Sequence, residues 1–264
     1  MDKVTGRVLL EHVQRFVREV YADRLRQAGF SSYKNEDIHW YRLIDGQVVQ
    51  SVYFIANYMA LPAVLEIRYG SHPLFIPPIF QRSPYMRGEP GYELMYTAIP
   101  EITPSSMPRG IQRSQIHGRT NIIYRIPDAV VHCPADMYTT HAILEKVLSV
   151  LDAIRTPKDC YKAHKNWRQG QIENGSWLTM SPYFVEEALC WEDSPLYPFC
   201  MEYIEGKISW LEGAKNLRKT DKEELTHLLT LREVFINGTR EQYLQTLCDR
   251  AAKNRSTLDK VITL

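Results

Sequence analysis

Histidine, cysteine and carboxylate side chains are the groups best able to do chemistry, and this chain places several of them between positions 117 and 164. His117, His132, Cys133, Asp136 and His141 fall in one stretch. Zinc accepts all of these residue types, but their spacings match no standard zinc module. The expectation is therefore no metal site and no cofactor. Cys160 and His164 stand four apart on a predicted helix, which places them on one face. Without a third ligand they read as an ordinary buried thiol and a core-edge histidine. Arg7 and His12 fit the loose R-x4-H pattern of one class of metal-independent RNases. Arg68 with His72, and Arg113 with His117, show how readily such pairs arise in this chain. Ser31-Ser-Tyr-Lys34 matches S-x-x-K without a companion motif. No glycine-rich phosphate loop and no G-x-S-x-G occurs, so nucleotide binding and serine hydrolysis have no motif support. Catalytic residues stay unassigned.

Cationic side chains give a second kind of candidate. Arg155, Lys158, Lys162 and Lys165 step by three, four and three, which holds them in a narrow arc of one helix face. Tyr161 and Trp167 are close by in sequence. A basic face beside aromatics suits a phosphate backbone and stacked bases, and a solvated helix face has the same pattern. Between Ile102 and Pro127 there are Arg109, Arg113, Arg119 and Arg125 and no acidic residue. Arg87 and Tyr92 lie among Tyr85, Met86 and Tyr96 in a proline-rich stretch, and these types are enriched at protein interfaces. The same aromatics, with Phe75, would equally serve to anchor an irregular loop.

The elements that must position these groups divide into two kinds. Leu9, Val13, Phe16, Val17, Val20, Tyr21 and Leu25 recur at helical spacing, and Gly29 follows as a left-handed cap. His39 to Ile44 is aromatic and extended, Asp45-Gly46 is a hairpin turn, and Gln47 to Tyr58 returns. Val64 to Tyr69 alternates apolar and charged residues, and Thr120 to Ile126 is a further strand. Between them, Pro73 to Pro108 carries eight prolines that block long helices. From Pro134 the pattern is helical: Ala142 to Ile154, Lys158 to Trp167, Pro182 to Cys190, Leu196 to Leu211, Lys222 to Ile236 and Arg240 to Ile262. Gly170 to Gly175 reads as a linker, and Thr220 to Glu223 as a capping box. The expected fold class is α+β. Residues 1–132 form a helix packed on a mostly antiparallel sheet with a proline-rich insertion, and residues 133–264 form a helical domain.

Leu25-Arg-Gln-Ala-Gly29-Phe30, followed by Trp40-Tyr41-Arg42 and a hairpin, resembles the opening of an uncharacterised bacterial domain-of-unknown-function family. Its members begin with a helix, a Gly-Phe step, a short aromatic strand and an extended strand ending near an asparagine. Asn57 stands in that place here. Ile208-Ser-Trp-Leu-Glu212, followed by paired helices, is similar to the family's tail. The proline-rich middle departs from it. The resemblance implies a bacterial accessory protein in an inter-bacterial conflict or anti-phage setting, and it carries no catalytic residues.

Composition bounds the remaining choices. Hydrophobic residues make up 44% and charged residues 24%, so the chain can bury a core. A net charge of +1 gives no global pull toward nucleic acid or anionic membrane. The cysteines (Cys133, Cys160, Cys190, Cys200 and Cys248) are odd in number and form no C-x-x-C, which fits reduced thiols in a cytoplasmic protein. No run of about eighteen apolar residues predicts a membrane span. The expected function is non-catalytic: a binding or accessory protein with a protein partner. The alternative is a nucleic-acid-binding subunit or a nuclease-type enzyme with an unfamiliar site.

Overall fold

The structure is a computed structural model that describes residues 14–15, 17–33, 37–57, 64–76, 113–116, 119–123, 144–145, 147–173, 182–191 and 197–261. Residues 17–20 are helical, and α1 spans Ala22–Gln27. Gly29, at φ +82°, ends this segment in a Schellman motif. The Phe30 N–H reaches back to the Leu25 carbonyl at 3.0 Å, and the Gly29 N–H to that of Arg26 at 2.9 Å. Phe30 and Leu25 are both buried, which adds the apolar contact that usually accompanies the motif.

The strands follow as β1 (Ser31–Ser32), β2 (His39–Ile44), β3 (Val48–Asn57), β4 (Val64–Pro73), β5 (Arg113–Ile116) and β6 (Arg119–Ile123). They form one six-stranded antiparallel sheet in the order β1-β2-β3-β4-β6-β5. Asp45 and Gly46 both take positive φ, and the Gln47 N–H closes on the Ile44 carbonyl at 2.9 Å. This is the hairpin turn that the Asp-Gly pair predicts. Helices α2 (Pro157–Glu173), α3 (Pro182–Cys190), α4 (Tyr197–Glu212), α5 (Lys219–Asn237) and α6 (Arg240–Val261) complete the chain. The α+β class holds, with a strand-rich first half and a helical second half.

Three boundaries differ from expectation. The stretch expected as a linker from Gly170 is helical through Glu173. Thr156 and Asp159 start this helix strongly: the Thr156 N–H donates to Asp159 at 2.9 Å, and the Asp159 N–H to Thr156 Oγ1 at 3.2 Å. That reciprocal cap, with Pro157 in the first turn, starts a long helix, and one glycine near its end costs only about 1 kcal/mol. Helix α5 begins at Lys219, so the capping box expected at Thr220 and Glu223 lies further upstream. The Arg218 N–H donates to Asp221 at 2.9 Å instead. Strand β5 was unforeseen because Arg113-Ser-Gln-Ile116 is too short and polar to alternate. Arg87 and Tyr92, with most of the proline-rich stretch, lie outside the described residues, as do His117, His132, Cys133, Asp136 and His141.

Adjacent valines on β3 show that both faces of the sheet are covered. Val48 packs with Ile154 and Cys160, whereas Val49 packs with Tyr33, Tyr41, Leu74 and Leu258. Residues of the helical half therefore sit on both faces. Gln50 fastens one of them. Its amide donates to the Leu151 and Ile154 carbonyls at 2.6 and 2.7 Å, which satisfies the exposed end of the helix over residues 147–152. Helices α3 to α6 build a second core around Phe184, Tyr203, Ile204, Leu228, Leu231 and Leu247. Among the described residues no helix is long and apolar enough to cross a membrane.

Two sheet histidines make the fold sensitive to acid. Burial pushes His39 down to about 3 and His72 down to about 4. Each side chain also has a buried ring nitrogen without a hydrogen-bond partner among the described residues. Both pKa values lie below the ordinary histidine value, so the unfolded chain takes up these protons first. Their stabilising contribution is complete above about pH 6.5 and is lost as pH falls toward 4 and below. Urea titrations should show unfolding free energy falling by up to about 1.4 kcal/mol per pH unit for each histidine across this window. His72→Phe should remove about half of the slope. A flat profile between pH 6.5 and 4 would contradict the burial of both rings.

Candidate functional site

Helix α3 is an apolar nine-residue segment with two adjacent glutamates in it, and both are buried (0% exposed for Glu186, 2% for Glu187). Neighbours on a helix point about 100° apart, so the two carboxylates reach different layers. Glu187 faces α2, where its Oε2 lies 2.6 Å from His164 Nδ1. The other ring nitrogen, Nε2, lies 3.0 Å from the Ser71 carbonyl on β4. A carbonyl only accepts, so Nε2 donates. The Glu187 contact then needs a further proton, held either on Nδ1 or on the carboxyl. Glu187 and His164 thus clamp α3 and α2 to the sheet through one shared proton.

Glu186 faces α5 and α6. Its Oε1 accepts from His227 Nε2 at 2.7 Å and from the Tyr243 hydroxyl at 2.5 Å. Its Oε2 accepts from the Arg250 guanidinium. Burial pushes the Glu186 carboxyl up, but His227 and Arg250 outweigh it and hold the group below its ordinary value. The same Arg250 donates through Nε to the Phe75 carbonyl at 2.7 Å, just beyond β4. Asn254 donates to the Leu74 carbonyl at 2.9 Å. One helix face of α6 therefore grips the chain where it leaves the sheet.

The chemistry open to this cluster is limited by these contacts. Burial, and then the nearby Glu187, push the Cys160 thiol far above its usual value, so it is no thiolate nucleophile. Cys160 and His164 share a helix face, as their spacing implies, and both are buried. Among the described residues no three metal-binding side chains converge. The glutamate pair was missed in the sequence. Its signal was two adjacent acids in the otherwise apolar run from Pro182 to Cys190.

Lys158, Lys162 and Lys165 lie on α2, whereas Arg155 precedes the helix, which starts at Pro157, and so is not part of its face. Arg155 pairs with Asp45 of the hairpin turn at 3.1 Å. Lys158 lies over the Trp191 ring, 5.4 Å from its centre. Asp159 points back to cap the helix. Lys162 is exposed and Lys165 half-buried.

On the other side of the same turn is a recess of about 290 Å³ between β2 and α6. Tyr41, Leu43 and Leu258 supply its apolar surface, and Gly29, Ser31 and Gly46 line it as well. Arg255 and Asp259 form its charged part, and Arg42 lines it while sending its side chain to Gln50 on the opposite face of the sheet. The arginines here are each held by an aspartate: Arg42 by Asp152 at 2.5 Å and Arg255 by Asp259 at 2.9 Å, as Arg155 is by Asp45. Comparison of the chain with protein-family models, with curated proteins and with solved structures gives no match.

Arg250 links Glu186 to the Phe75 carbonyl, so Arg250→Met should strip two buried acceptors at once. The expected loss is about 3–5 kcal/mol of unfolding free energy. Lys162→Ala, on the exposed arc, should change it by less than about 0.5 kcal/mol. Urea denaturation at pH 7 measures both. Equal, small effects would mean that the Glu186 cluster carries no structural weight.

Proposed function

We propose that this protein is a non-catalytic binding or accessory protein that engages another protein. The supporting observation is the recess beside the Asp45-Gly46 turn. Its half-buried Leu43 over an apolar floor, with the Arg255–Asp259 pair at its edge, matches the anatomy of a protein interface. The carboxylates and imidazoles of the interior support the same reading, because they are spent on joining helices to the sheet. The resemblance of the opening and tail segments supports reading it as an accessory protein of a bacterial conflict or anti-phage setting.

A second reading rests on Lys158 beside Trp191. A cation and an aromatic ring on one surface suit a single-stranded nucleic acid. That partner would give a steep loss of affinity with salt, with a log-log slope near one per phosphate contact. Salt titration of oligonucleotide binding, with Lys158→Glu/Lys162→Glu as control, separates the two readings.

Co-purification from the native host, followed by mass spectrometry, tests the protein-partner reading. Wild type and Lys162→Glu should retain the same partner, and Leu43→Glu should lose it while keeping its melting temperature within a few degrees. Identical partners for all three variants would remove the recess from the interface.

A further inference from the structure

Resting on the binding reading above, we propose that the recess takes a short extended peptide segment that presents a large apolar side chain with a carboxylate close to it. The edge of the sheet supplies the first argument. The Phe54 N–H bonds the Ile38 carbonyl, and the Tyr33 N–H bonds that of His39. In an antiparallel ladder these directions alternate, so the backbone groups of His39, Tyr41 and Leu43 point away from β3. Strand β1 pairs only as far as Ser31 with Tyr41. The chain before Ser31 is still turning through the Gly29 cap, so β1 cannot extend to cover Leu43. Among the described residues nothing pairs with the outward backbone groups of Leu43, which leaves one ladder position at the recess for an extended chain.

The surface chemistry supplies the rest. Leu43, half-buried, gives the recess its accessible apolar surface over a floor of buried Tyr41 and Leu258, in a space of about 290 Å³ that lies just under the size range of ligand sites. That size suits one large side chain better than a cofactor. Arg42 spends three of its five N–H donors on Gln50, Ala28 and Asp152, and its side chain lies on the face of the sheet opposite Tyr41 and Leu43, so it does not serve the recess. Arg255 differs. It bonds Asp259 through Nε alone, and its Nη1 reaches over Gly46. Among the described residues its two terminal nitrogens have no acceptor. Asp259 holds the guanidinium from the Nε side and leaves the fork directed at the recess, where a carboxylate can be received by two parallel N–H groups.

The probes are three acetylated tetrapeptide amides. One carries phenylalanine followed by glutamate, the second replaces the glutamate with glutamine, and the third replaces the phenylalanine with alanine. Titrated at millimolar concentration into the ¹⁵N-labelled full chain, the first should give saturable shifts at the Leu43 and Gly46 amides. The glutamine peptide should bind several-fold more weakly, and the alanine peptide should not saturate. Arg255→Gln, with an otherwise unchanged spectrum, should bind the glutamate and glutamine peptides alike. Absence of saturable shifts, equal binding of those two peptides by wild type, or shifts centred elsewhere would overturn the proposal. So would Leu43-dependent dimers in sedimentation, which would make a second copy the occupant. If the peptides fail while co-purification still depends on Leu43, this inference falls and the protein-binding reading stands. If the peptides bind but co-purification ignores Leu43, the reading of function falls and the peptide chemistry stands.

Discussion

Two carboxylates side by side on one buried helix set the terms for the rest of the molecule. Neither can stay charged in an apolar interior without partners, because removing an ion from water costs several kcal/mol even after relaxation. The partners come from different layers. Glu187 takes His164, and through it the Ser71 carbonyl of the sheet. Glu186 takes His227, Tyr243 and Arg250, and through the last the Phe75 carbonyl. Helix α3 therefore cannot be satisfied unless α2, α5, α6 and the end of β4 are all in place. Such a network is weak evidence for net stability over an apolar core of the same shape. Its effect is to demand one arrangement of helices on the sheet.

That arrangement has a consequence at the far end of the sheet. Once Arg250 and Asn254 hold α6 against Leu74 and Phe75, the next turns bring Arg255, Leu258 and Asp259 over the Asp45-Gly46 hairpin. Leu258 then completes the core with Tyr33, Tyr41 and Val49. Gly46 lets the turn take its φ of +71°, where a side chain would be strained, and the Arg255 guanidinium passes beside it. The recess is thus a product of the buried network rather than a separate feature. Its position next to Arg155 and Asp45 sets it beside the residues that precede α2.

The elements that the sequence revealed are those governed by local rules. The Gly29 cap, the Asp45-Gly46 turn, strand His39–Ile44 and helix Pro182–Cys190 were legible because each follows from neighbours in sequence. The cap at Thr156 and Asp159 follows the same local rule, and it forms where the similar Thr220 to Glu223 pattern does not. The site was not legible in this way. Glu187 meets Ser71 across 116 positions by way of His164, and Arg250 meets Phe75 across 175. Periodicity shows which face of a helix is apolar, and it cannot show which buried acid meets which distant base. The recess is harder still, because it joins a turn, a helix cap and the last turns of α6, none of which is unusual alone.

The coupling between Glu187 and His164 is the most direct test of this account. A double-mutant cycle with Glu187→Leu and His164→Leu, followed by urea unfolding at pH 7, isolates it. Each single variant should lose about 3–5 kcal/mol, because it leaves one polar group buried without its partner. The double variant should lose much less than the sum, with a coupling of at least about 2 kcal/mol. Additive losses would mean that the two side chains do not depend on each other, and that something other than the paired glutamates of α3 sets the helices on the sheet.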